Sequence, residues 1–465
     1  VIVNLSNTAI VVGATTVAAG SGKNGHAEGD TYVNIQNVTG GGGNDTFIAS
    51  NDVNTFDGGG GTNTVHYGAS DAGVTVNLSA NTQGTLQSMQ GSGGYAAGDT
   101  YISIQNVIGS AHDDTFYGGV GANRFEGNGG RDRVSYAGET ADLTINLAAG
   151  TGLGGTAAGD TYINIQDATG GTGNDTFVAS AAENNFVGGV GNNTVSYAAA
   201  NNSIGVTVNL NTQQGSGAVG SWAVGDTYSD IQNIIGTAYN DNFIASSVAN
   251  IFTGGGGSDT VSYAASDTGV VVNLAGSTYE GVAASRGSGG YAQGDQYNAI
   301  NNVIGSNYND VFIANAQVNA FDGGGGTNRV SYAASGTGVI VNLSNTAILV
   351  GATTVAAGSG KNGHAEGDTY VNIQNVTGGA GNDTFIASND VNTFDGGGGT
   401  NTVHYGASDA GVTVNLSANM QGTLQTMQGS GGYAAGDTYI SIQNVIGSAH
   451  DDTFYGGVGA NRFEG

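Results

Sequence analysis

The sequence predicts an all-β chain wound into an elongated parallel β-roll, or β-solenoid, of coils about 18 residues long. Three observations predict it. Large apolar residues return every nine positions, as at Val38, Phe47, Phe56, Val65 and Val74. Glycine-rich turns separate them, the clearest being residues 40–48, GGGGNDTFI, which fit the pattern G-G-x-G-x-D-x-U-x with U a large apolar residue. Segments such as DTFIAS and NTVHY read as strands of three to six residues, and no stretch of helical length carries a 3.6-residue apolar period.

Each part of the repeat has a physical reason. Residues 40–43 form a tight turn, because glycine tolerates positive φ and lets backbone carbonyls crowd a small cation. Asp45 supplies an anionic oxygen, the donor that a hard cation prefers, and Phe47 points inward. The inward ladder continues as Val107, Phe116, Phe125, Val134 and Leu143, then as Val303, Phe312, Phe321, Val330 and Val339. Two residues before these positions sit short polar side chains: Asp45, Asn54 and Asn63; Asp114, Asn123 and Asp132; Asp241, Asn250 and Asp259. Residues one coil apart stack, so Asp114 with Asp132 and Asp241 with Asp259 are expected in shared turn columns and are the best candidates for calcium.

A longer repeat overlies the short one. The Gly-Asp opening of the GDTY motif at Asp30 returns at Asp99, Asp160, Asp226, Asp295, Asp368 and Asp437, at spacings of 69, 61, 66, 69, 73 and 69 residues. This divides the chain into the end of a truncated unit (1–28), units at 29–97, 98–158, 159–224, 225–293, 294–366 and 367–435, and a truncated unit at 436–465. The length differences fall almost wholly in one loop, at 79–97, 148–158, 211–224, 275–293 and 344–366. Residues 339–465 nearly copy residues 1–127, a super-repeat of 338 residues with changes such as Val11 to Leu349. Strands about 4.8 Å apart over roughly 25 coils would make a rod about 120 Å long.

Composition excludes several function classes. The chain has 465 residues with 87 glycines, no proline and no cysteine, and 8 basic against 36 acidic residues give a net charge of −28. That charge opposes binding to nucleic acid or anionic membranes and suits a cation binder. Without cysteine, metal ions or repeat stacking must do what disulfides do elsewhere. No run of 18 apolar residues suggests membrane insertion, and nothing reads as a signal peptide. The chain begins with VIVNL and ends with RFEG, both in mid-repeat, so it reads as a window on a longer sequence.

The chain resembles the repeats-in-toxin (RTX) family of haemolysin-type calcium-binding proteins. The resemblance rests on GGGGNDTFI at Gly40, GGTGNDTFV at Gly170 and GGAGNDTFI at Gly378, and on the degenerate GSAHDDTFY at Gly109, GTAYNDNFI at Gly236 and GSNYNDVFI at Gly305. The linking pattern VSYAxAxxGVTVNL is similar to repeat regions of large secreted bacterial surface proteins of this family. It implies export as an unfolded chain and folding driven by Ca2+ outside the cell, at the cell surface or beyond. Candidate metal ligands are Asp45, Asp114, Asp132, Asp175, Asp241, Asp259, Asp310, Asp383 and Asp452. Asn replaces Asp at Asn54, Asn63, Asn184, Asn193, Asn319 and Asn328, and each replacement removes a charge, so partial occupancy is expected. The bland reading of the same column is an Asx-turn or a stacked Asn/Asp ladder without metal.

Other motifs carry less. The six histidines are three positions seen twice, read as solvated residues without a partner at zinc spacing. GSGKNG at Gly20 resembles a phosphate loop, but Val17 and Asn24 break the motif. Thr46, Thr55 and Thr64 suggest an ice-binding face, but the third turn position holds Gly42, Gly60 and Val120. No Ser/His/Asp or HExxH signature appears, so no enzyme is expected. The expected role is a calcium-stiffened body of a secreted filament, surface layer or adhesin stalk that self-associates end to end or laterally. The alternatives are an adhesin region whose loops bind a cell-surface or glycan ligand, and an accessory array of an exported enzyme.

Overall fold

Nine residues divide into a turn and a strand of three, and that division sets the architecture. The structure, a computed structural model, describes residues 1–83, 86–421 and 425–465. The chain forms two compact units, residues 1–208 with 213–237, and residues 209–212 with 238–465. Both are all-β, and the helical elements among the described residues are single 3-10 turns such as Gly94–Ala96 and Gly290–Ala292.

In the first unit the strands stack in register into two parallel ladders. One includes Ile2–Asn4, Thr46–Ile48, Thr64–His66, Asn106–Ile108 and Arg124–Glu126. The other includes Asn37–Thr39, Thr55–Asp57 and Thr100–Ile102. Successive strands alternate between ladders, so a central residue meets its counterpart one coil later: Phe47 lies opposite Val65, and Phe116 opposite Val134. The second unit follows the same rule, with Val311–Ile313 beside Arg329–Ser331 and Asn302–Ile304 beside Ala320–Asp322.

The core is the narrow space between the ladders. Phe47, Phe56, Val65, Phe116, Phe125, Val134, Phe312, Phe321 and Val330 are all buried there. Consecutive phenylalanines come from opposite ladders and pack ring on ring, stacked with centroids 5.8 Å apart for Phe47 and Phe56 and 5.5 Å for Phe312 and Phe321, and tilted for Phe177 and Phe186. Offset stacks at this distance add to the burial of the rings themselves.

The nine-residue spacing stretches at one place in each unit. The fifth strand centres on Val76, which pairs with Phe116, rather than on Val74. Ile145 and Val341 likewise take the positions that spacing gives to Leu143 and Val339. The reason is a longer turn before this strand. Val74, Leu143 and Val339 remain buried because residues two apart on a strand face the same side.

Each long loop ends in a reversing strand. Gln90–Ser92 lies antiparallel between Thr75–Asn77 and Thr100–Ile102, and Thr151–Leu153 lies antiparallel between Thr144–Asn146 and Thr161–Ile163. The chain thus returns on the face it left, and the next GDTY strand opens on the other ladder from its predecessor. The middle residue of the reversing strand is glycine because the backbone lies directly over a tyrosine. A Cβ on Gly91 would sit 2.2 Å from the Tyr101 hydroxyl and 2.5 Å from the Ala96 carbonyl oxygen, and Gly152 is equally crowded by Tyr162 and Ala157.

Candidate metal centre

The polar residues that precede each inward position form columns along the turns. In the first column both carboxylate oxygens are occupied by the main chain. The N–H groups of Gly41, Ser110, Gly171, Ser306, Gly379 and Ser448 donate to Oδ2 of Asp45, Asp114, Asp175, Asp310, Asp383 and Asp452. Oδ1 accepts from the neighbouring coil: from Val74 to Asp114, Leu143 to Asp175, Val270 to Asp310, Val339 to Asp383 and Val412 to Asp452. In Asp45 the Val1 nitrogen takes that place at 2.6 Å. Burial raises Asp114, Asp175, Asp310 and Asp383 above the usual carboxylate range, and these N–H donors work against the rise.

The second column lies one coil further on. Oδ1 of Asn63, Asn193, Asn328 and Asn401 accepts the N–H of Asp45, Asp175, Asp310 and Asp383. Their Nδ2 groups donate to the carbonyls of Ser103, Asp230, Asn372 and Ser441, each at 3.0 Å. Those four carbonyls belong to residues in the left-handed region, with φ of 52, 56, 54 and 53°, which turns each carbonyl toward the column.

Asp132 and Asp259 occupy this same position, and there the pattern changes. Each accepts through Oδ1 the N–H of the aspartate one coil before, Asp114 at 2.9 Å and Asp241 at 2.8 Å. The spacing therefore pairs Asp114 with Asp132 and Asp241 with Asp259, as expected. The remaining oxygen, Oδ2, replaces an amide donor, and in both residues it is buried without a hydrogen-bond partner. It faces a carbonyl. A Cβ built on Gly127 would meet Asp132 Oδ2 at 2.0 Å and the Asn164 oxygen at 2.5 Å, and one on Gly254 would meet Asp259 Oδ2 and the Ala299 oxygen at 2.1 and 2.4 Å.

Two acceptors facing each other across a glycine need a proton or a cation between them. Burial, against the N–H donors of Asp114 and Asp241 and with the negative charge of their carboxylates, pushes Asp132 up to about 7 and Asp259 up to about 6. A charged carboxylate oxygen with a backbone carbonyl is the donor chemistry calcium takes, and each position offers two of the roughly six to eight oxygens the ion needs. The other seven candidates are placed in the hydrogen-bonded columns, and no group of three or more His, Cys, Asp or Glu converges among the described residues.

A third polar element was not foreseen. The Gly-Asp aspartate that opens each unit, used above only to set the repeat spacing, is exposed at Asp30 but from Asp99 onward is buried in a Tyr–Tyr–Asp triad. The Tyr67 hydroxyl donates to Asp99 Oδ2 at 2.7 Å and lies 2.6 Å from the Tyr101 hydroxyl, while the Asn54 N–H donates to Asp99 Oδ1 at 2.7 Å. The same set recurs at Tyr136, Tyr162 and Asp160; Tyr197, Tyr228 and Asp226; Tyr263, Tyr297 and Asp295; Tyr332, Tyr370 and Asp368; and Tyr405, Tyr439 and Asp437. The signal in the sequence is one Tyr ending VSY or VHY and, three residues after the next unit-opening Gly, one in GDTY or, at Asp295, GDQY. Tyr197→Phe removes the hydroxyl donor of Asp226 and is expected to destabilise the fold by about 1–3 kcal/mol, measurable by urea unfolding.

One histidine position also departs from expectation. His66 and His404 are buried rather than solvated. The Gly68 N–H donates to His66 Nδ1 at 2.9 Å, and burial lowers this imidazole to about 4, so it stays neutral.

Seven segments of the chain, residues 37–71, 106–138, 168–204, 233–267, 297–330, 374–409 and 444–465, match the RTX calcium-binding nonapeptide repeat. Segment 106–138 contains Asp114 and Asp132, and segment 233–267 contains Asp241 and Asp259. No curated protein matches the chain.

Proposed function

Because the chain belongs to the RTX calcium-binding repeat family, we propose that it is the repetitive, non-catalytic body of a secreted bacterial filament, surface layer or adhesin stalk, stiffened by calcium outside the cell. The observation that carries the calcium part is the orphaned Oδ2 of Asp132 and Asp259 at a position where Asn63, Asn193, Asn328 and Asn401 are hydrogen-bonded. When bound there, calcium supplies the positive charge that lets these carboxylates ionise beside the Asn164 and Ala299 carbonyls. The structural part is supported by the recurrence of the same columns and triads from unit to unit and by the 338-residue duplication.

The test uses the four coils in which asparagine already stands at this position. Asp132→Asn with Asp259→Asn supplies an amide that donates to Asn164 and Ala299, as Asn63 does to Ser103. The chelator-treated double variant is expected to be more stable than the parent at pH 8, by about 1–3 kcal/mol per site. The parent should melt at higher temperature in about 1 mM calcium, and the variant should gain less. A parent whose circular dichroism and melting ignore calcium would sink the proposal.

A second reading, a ligand-binding adhesin region, is favoured by a pocket of about 270 Å³ in the first unit, of mixed polar and apolar lining. It is lined by Ser79, Asn81, Gln83, Glu139, Thr140 and Thr156, a set suited to carbohydrate hydroxyls. Exchanging loop 79–97 for the shorter 148–158 sequence should abolish binding on a glycan array. Unchanged binding would remove this reading.

A further inference from the structure

We infer that two aliphatic hairpins, one in each compact unit, are self-association elements whose free edges pair with the same hairpin of another chain. The inference rests on the structural reading above and names the surface through which chains meet. The hairpins are Ile10–Val12 with Thr15–Val17, and Ile348–Val350 with Thr353–Val355. Among the described residues these four strands pair only with each other, forming two-stranded sheets outside the ladders.

Turn chemistry fixes which groups reach the free edges. Gly13 and Gly351 have φ of 59 and 61° and stand first in two-residue loops, the position a type II′ turn requires of glycine. Val12 and Thr15 close the turn, so they exchange the hydrogen bonds. The next pair, Val11 and Thr16, is the non-bonded pair of the ribbon, and its N–H and C=O groups point outward along the two edges. Leu349 and Thr354 repeat this arrangement.

The ribbons are held in place and presented. Ile10, Val12 and Val17 pack against Ile2 and Ile48, and in the copy Ile348, Val350 and Val355 pack against Ile340 and Ile386. The other side faces solvent, with Val11 62% and Leu349 63% exposed. This residue is one of the few that differ between the two copies, yet it stays aliphatic.

Protein edges are usually blunted by lysine, proline or a bulge. Here the whole chain lacks proline, and residues 1–22 carry no ionisable side chain. On a chain of net charge −28, an uncharged edge is where two copies meet with least repulsion. That selects a second copy of this chain as the occupant, joined by antiparallel edge pairing. Two hairpins make each chain bivalent, so association is open-ended.

The experiment is sedimentation velocity of the full chain in calcium across a concentration series, with circular dichroism as the control for folding. The parent is expected to form species larger than dimers. Val11→Lys leaves one hairpin and should form smaller species than the parent at every concentration. Val11→Lys with Leu349→Lys should remain monomeric with an unchanged spectrum, and Thr16→Lys with Thr354→Lys should do the same from the partner strand. If the double variants associate as the parent does, or if the parent is monomeric throughout, the hairpins are not the contact. Calcium-dependent melting, measured separately, then still decides the structural reading.

Discussion

Between pH 5 and pH 8, without added divalent cation, the chain is expected to lose thermal stability as the pH rises, the reverse of ordinary acid denaturation. The six triads set the sign. Burial pushes the carboxyls of Asp99, Asp226, Asp295, Asp368 and Asp437 up to about 7, and that of Asp160 up to about 6. In the unfolded chain the same groups titrate near 3.8. Below that value both states are protonated and the full stability is present. As pH climbs, the unfolded chain releases protons that the fold retains, so stability is lost until the folded carboxyls also ionise near pH 7. Growing negative self-repulsion acts in the same direction. Melting followed by circular dichroism at pH 5, 6, 7 and 8 in chelator checks this, and a melting temperature that rises through the series would contradict it.

Phe312→Ala should cost about 3–5 kcal/mol, with damage confined to neighbouring coils. Phe312 is fully buried, stacks on Phe321 at 5.5 Å, and sits in Val311–Ile313 between Val271–Asn273 and Arg329–Ser331. Its removal leaves a cavity that neither ladder can close, since each strand is held in register on both sides. Each coil touches only its neighbours, so stability is close to a sum of local terms. Hydrogen exchange should show protection lost in the two flanking strands and kept in Thr413–Asn415 of the same unit. Uniform loss across the unit would show that the coils are more cooperative than the contacts suggest.

What was legible in the sequence is what repeats at short range. Phe47, Phe116 and Phe312 could be placed inward because a nine-residue period admits one apolar direction. Asp114 could be paired with Asp132 because their separation is one coil. The triads were not legible because Tyr67 and Asp99 are brought together through the reversing strand, whose path depends on a loop of variable length. GDTY therefore serves in the sequence only as a marker of repeat length, although Asp99 also accepts from the Asn54 main chain. The column aspartates were legible as a set and not in their individual roles. One further coil holds Asn63 behind Asp45 but Asp132 behind Asp114, and only the carbonyl opposite shows which of these lacks a donor. His66 was misread because its burial depends on the adjoining ladder.

The reversing strand also bears on how such a chain changes over generations. Since Gln90–Ser92 enters and leaves on one face, the residues that precede it in the loop lie outside the coil count. Loops of 11, 14, 19 or 23 residues are therefore accommodated without shifting any strand, whereas one residue added between Phe47 and Phe56 would misplace every later side chain of its coil. Insertions and deletions are filtered by position, and apart from two residues added between Tyr197 and Val206 the length changes are held in the one loop where new sequence can be tried while the inherited scaffold stays in phase.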